Sequence, residues 1–170
     1  MIMETTFRNK VAESGIITLN LEDYYPQEPV LLFDIKDYLF MGMILKEKDF
    51  RAALKEQDWT VYKNKGVGIV CTADAIIPLW AYMLIVSYLQ PVAAFVHLGD
   101  EATVKNKQLL KAIEALDVNA FLDARIVIKG CGDIPVSEEA YAQVALKLLP
   151  VVKSLMYGEP CSTVPVYKRK

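Results

Sequence analysis

The sequence predicts an α/β fold, a single three-layer domain on a mostly parallel sheet built from βα units. From residue 66 onward, short runs rich in β-branched residues alternate with longer helical patterns. A helix between successive strands makes βαβ units, whose strands run parallel with right-handed crossovers. With 54% hydrophobic and 24% charged residues over 170 positions, the chain can build a real core and is not disordered.

The elements follow in order. The first 65 residues are less regular and read as a β/α segment packed on the core of residues 66–170. Phe7 to Ser14 suits a short helix ended by Gly15. Ile16 to Leu21 reads as a strand and Glu22 to Pro26 as a turn. Val30 to Ile35 suits a second strand, while Tyr38 to Leu45 is too short for periodicity to decide. Asp49 is the expected N-cap of a helix over Phe50 to Gln57, with Phe50 and Leu54 on one face.

Strand 66–71 then leads to helix 76–89, strand 92–97 and helix 102–116. In that last helix Leu109, Leu110, Ile113 and Leu116 face inward, with Lys105, Lys107, Lys111 and Glu114 outward. Strand 124–129 leads to a long helix, 137–157, capped by Ser137, kinked at Pro150 and stopped by Gly158 and Pro160. Pro165 confines a final strand, 163–167, to an edge.

Helix 76–89 is apolar all the way round, so it needs cover on two sides. The second cover is either the N-terminal segment or another subunit, and the favoured reading is a homodimer burying Trp80 and Tyr82. Residues 75–96 carry no formal charge, but Pro78 and Pro91 interrupt them well short of the roughly 20 residues a membrane span needs. A net charge of −2 gives no global field for nucleic acid, and Lys168-Arg169-Lys170 reads as a solvated tail. Three cysteines without a disulfide-framework or zinc-finger spacing, and without a secretion signal, suit the reducing cytoplasm.

Candidate chemistry gathers where the predicted strands end. Ligands of open α/β sheets bind at that carboxyl edge. Cys71, with Thr72 and Asp74, precedes an apolar helix whose dipole would stabilise a thiolate. The same residues suit a small buried hydrophobe and an N-cap, and packing is the simpler reading. His97 could serve as base or ligand, though a strand-end histidine with a satisfied ring is simpler. Lys129, Gly130, Cys131 and Gly132 form a glycine loop whose backbone N–H groups could cradle an anion, and here the two readings balance.

Cys71, Cys131 and Cys161 would suit a zinc or iron ion if they met. Some 20 helical residues would instead carry Cys161 about 30 Å from the other two. No Gly-x-Ser-x-Gly, HExxH or CxxC motif is present, and Asp34/Asp37 and Glu22/Asp23 read as solvated or capping pairs.

At Leu32 to Asp37, Lys46 to Arg51, Trp80 to Met83, Ile128 to Cys131 and Gly158 to Pro165, nearly the whole chain resembles the bacterial domain-of-unknown-function family 2480. The family brings no established activity. The resemblance implies a place beside iron–sulfur cluster assembly and its proteins, with Cys71, Cys131 and Cys161 handling iron, zinc or sulfur. Two alternatives stand beside it. One is a binding protein or enzyme for a small anionic metabolite at the carboxyl edge. The other is a dimeric scaffold whose cysteines only pack.

Overall fold

A computed structural model describes residues 15–130, 132–159 and 162–170. The helix expected over Phe7 to Ser14, and Cys131 and Cys161 themselves, lie outside these residues. The fold is α/β, with strands that are mostly parallel. The expected single sheet is in fact two, one in each of two compact units.

Unit 1 comprises residues 1–25 and 109–170, and its sheet is ordered β1-β5-β6-β7. Strands β1 (Ile16–Leu19), β5 (Arg125–Ile128) and β6 (Ser154–Glu159) are parallel, and β7 (Ser162–Lys168) returns antiparallel along the outer edge. Leu19, Ile126, Ile128 and Leu155 point into one core. There they meet Ala140, Val144 and Leu148, one face of α4 (Glu138–Leu148). The second half of α3 (Glu101–Glu114) adds Leu109, Leu110 and Ile113.

The helix expected to reach residue 157 stops at Leu148. Pro150 ends it rather than kinking it, because its nitrogen has no hydrogen to donate. Residues 154–159 become β6, whose identity is set by partners on both sides, β5 and β7. Gly158 lies within that strand at φ +118°, a conformation that excludes a Cβ. The expected edge position of Pro165 is observed. The basic ending is no loose tail. Lys168 closes β7, and the Arg169 guanidinium donates to the Val151 and Val152 carbonyls at 2.7 and 2.8 Å.

Unit 2 comprises residues 26–108. Its sheet is parallel and ordered β2 (Val30–Asp34), β3 (Gly66–Val70) and β4 (Phe95–Leu98). On one face Phe33, Val67 and Ile69 pack against Phe50 and Leu54 of α1 (Glu47–Glu56) and Ala81, Ile85 and Leu89 of α2 (Leu79–Leu89). Lys46, not Asp49, precedes α1, and its side chain makes no capping bond. On the other face Gly66 and Gly68 admit the first half of α3. A Cβ on Gly68 would strike the Gly99 carbonyl, Leu32 and Val104.

Candidate functional site

At the carboxyl edge of unit 1 the chain leaves β5 as Lys129-Gly130 and reaches α4 through residues 132–137. Three side chains from separate places hold this loop. Tyr141, in the first turn of α4, donates its hydroxyl to the Lys129 carbonyl at 3.2 Å. Tyr157 of β6 donates to the Gly130 carbonyl at 3.0 Å. Glu22, in a 3-10 turn after β1, accepts from the Ile134 N–H at 2.7 Å.

The two tyrosine rings meet edge to face, with centroids 5.6 Å apart. A Cβ on Gly130 would enter the Tyr157 ring, and one on Gly132 would displace the Glu22 carboxylate that accepts from the Ile134 N–H. Between these groups lies a pocket of about 360 Å³. Among the described residues its charged lining is Lys129, Glu22 and Glu138, one cation against two carboxylates. Ser137 caps α4, accepting from the Ala140 N–H at 3.2 Å.

The sequence placed Lys129, Gly130 and Gly132 here, and they do line the pocket. It missed Glu22, Tyr141 and Tyr157. Glu22 reads in the sequence as one of a solvated or capping pair, and Tyr157 as the last residue of a helix that in fact stops at Leu148. Cys131 lies in this loop by sequence but outside the described residues.

The carboxyl edge of unit 2 holds the other candidates. Cys71 follows β3, half-buried, and its thiol donates to the Ala73 carbonyl at 3.5 Å. Thr72 gives its N–H to Asp34 at 3.1 Å and its hydroxyl at 2.5 Å. Burial pushes the Asp34 carboxyl up. The Thr72 hydroxyl, the Lys36 and Thr72 N–H groups and the Lys36 charge outweigh that and hold it below its ordinary value. Asp34 is therefore the capping residue that the sequence allowed, accepting from the Lys36 N–H at 2.9 Å, and it also links the end of β2 to Thr72 just after β3.

Asp74 is exposed. His97, expected at the end of its strand, is the third of four residues in β4, half-buried, registered on Gly68 and with its ring centroid 6.4 Å from that of Phe95. The expectation that Cys71 and Cys131 follow strands of one shared sheet is corrected: β3 and β5 belong to different sheets. The expected removal of Cys161 from the carboxyl edge rested on a helix to residue 157. With β6 parallel to β5, Glu159 and Ser162 pair at that edge, on either side of residues 160–161.

Among the described residues no group of three His, Cys, Asp or Glu side chains is placed to hold a metal ion. Among them too, no helix is long and apolar enough to cross a membrane.

The family model for proteins of unknown function designated DUF2480 matches residues 5–169. The chain belongs to the DUF2480 family. Within this DUF2480 chain, the two glycines beside Cys131 and the tyrosines that brace them fall inside the matched stretch. No curated protein and no solved structure matches the chain.

Proposed function

We propose that the protein binds a small polar metabolite in the pocket at the carboxyl edge of unit 1, with the 129–134 loop as the receiving element. One observation carries this reading. Tyr141, Tyr157 and Glu22, from three separate elements, hold the loop around a pocket at the edge where open α/β sheets take ligands. A loop fixed before binding saves the ligand the entropy of ordering it. One lysine against two carboxylates disfavours a purely anionic ligand. A ligand bearing both charges, such as an amino-acid-like zwitterion, matches the lining better.

The test is a thermal-shift screen of amino acids, amines and carboxylates, followed by calorimetry on hits. The expected result is a zwitterionic hit whose affinity falls in Glu138→Gln. Stabilisation by carboxylates alone would reverse the charge assignment, and no hit in any class would overturn the reading.

A second reading keeps the cysteines as carriers of metal or sulfur beside iron–sulfur cluster assembly. It is supported by register: Ile128 of β5 stands opposite Tyr157 of β6, and Cys131 and Cys161 follow these residues closely in sequence. Elemental analysis after anaerobic purification tests it, with substoichiometric iron and zinc counting against it. For assembly we propose a cytoplasmic homodimer through α2. Its outward stripe is Leu79 and Met83, with Ile76 just before the helix, whereas Trp80 and Tyr82 are half-buried against the unit 2 core.

A further inference from the structure

We infer that unit 1 carries a second ligand site, a basic pocket at its amino edge, that takes a phosphoryl group borne on a small apolar body. Ile126 and Leu155 point into the core under α4, so their strand neighbours Arg125 and Ser154 project from the opposite face. Register sets Arg125 opposite Ser154, and Ser154 opposite Lys168, in one lateral row across β5, β6 and β7. With Lys153 they line a pocket of about 360 Å³, floored by Met156 and Pro165 and bordered by Tyr167.

Among the described residues no acidic side chain lines this pocket. Among the described residues none of the three cations has an ion-pair partner. The acid nearest in sequence, Asp123, is engaged by Arg169, 3.4 Å away. Arg169 also grips the Val151 and Val152 carbonyls and so fixes the chain next to Lys168. Arg125, Lys153 and Lys168 are solvent-exposed and line one pocket, where an anion among them would relieve their mutual repulsion. A dianionic phosphoryl group matches three positive charges and two hydroxyls better than a carboxylate does. The Met156 and Pro165 floor suits an apolar body attached to it. This site stands at the opposite strand ends from the carboxyl-edge pocket and does not depend on it.

Titration of the ¹⁵N-labelled full chain with phenyl phosphate at low salt tests the inference. Saturable shifts are expected at the Arg125, Ser154 and Lys168 amides, weaker affinity for inorganic phosphate, and steep weakening with salt. Arg125→Gln and Lys168→Gln should each weaken binding about fivefold, and their spectra report whether the fold survives. Shifts unchanged in both variants, or no saturable shift at millimolar ligand, would overturn it. Vesicles of phosphatidylcholine with phosphatidic acid separate the two sources of phosphate. Sedimentation with these vesicles, without any response to phenyl phosphate, would overturn the soluble-ligand site in favour of a membrane surface.

Discussion

The hydroxyl of Tyr157 donates to the carbonyl oxygen of Gly130, joining β6 to the loop that follows β5. The contact is steric as well as polar, since a Cβ at Gly130 would lie 2.5 Å from the ring's Cζ. Tyr157→Phe removes one partly exposed hydrogen bond and should cost about 0.5–1 kcal/mol in urea unfolding. Gly130→Ala displaces the ring and should cost more, about 1–3 kcal/mol. Because both act through one contact, the double variant should cost less than the sum of the two. Additive costs would mean that the contact does not brace the loop.

Asp34 gives a pH-dependent prediction. Its carboxyl, despite burial, is held below the ordinary value of 3.8 by Thr72, the Lys36 N–H and the Lys36 charge. The folded group thus releases its proton more readily than the unfolded one. Its stabilisation is complete above the unfolded value and is lost as pH falls through the folded one. Thr72→Val should raise the Asp34 pKa, read from its carboxyl ¹³C shift, and move acid unfolding to higher pH. An unmoved Asp34 titration would show that Thr72 does not set it.

Cys71 should label slowly with a thiol reagent. It is half-buried and its thiol already has an acceptor in Ala73. Cys131, between two glycines in the sequence, should label faster. Residue-resolved mass spectrometry checks the order, and equal, negligible labelling of all three cysteines would favour the scaffold reading.

What the sequence made legible was local. The glycine-bearing run 66–70, the Phe50/Leu54 face and the Leu109, Leu110 and Ile113 stripe each declare their element through their own period. What it concealed was pairing. Residues 151–157 are apolar enough to prolong a helix, and only β5 and β7 on either side make Ser154–Glu159 a strand. With β6 hidden, Tyr157 could not be placed in the site. Division into two sheets was hidden likewise, because a parallel strand looks the same whichever sheet receives it.

The homodimer can be tested on α2. Leu79 is 81% exposed and Met83 74%, one turn apart, where an isolated surface helix would carry polar residues. Leu79→Glu and Met83→Glu should turn a dimer into a monomer by light scattering at micromolar concentration. Neither side chain belongs to the buried core, so far-UV circular dichroism should be unchanged. A wild-type monomer would refute the assembly.

Gly66 and Gly68 stand two residues apart in β3, yet substitution by alanine should separate them. At Gly68 a new Cβ meets the Gly99 carbonyl, a backbone atom held in turn by the 3.0 Å bond from the Gly99 N–H to the Ile69 carbonyl. It would also sit 2.8 Å from Leu32 and 3.2 Å from Val104. Backbone cannot rotate aside as a side chain can, so β4 or α3 must move. A cost of about 1–3 kcal/mol is expected, or failure to fold. At Gly66 the closest atoms are the end of the Gln108 side chain and a Val30 methyl, at 3.4 and 3.5 Å, which is ordinary contact. Alanine there also restricts the unfolded chain, so Gly66→Ala should stay within about 0.5 kcal/mol of the parent. Urea unfolding of the two variants decides the matter. Equal costs would mean that α3 does not lie on this face of β3 as closely as the structure places it.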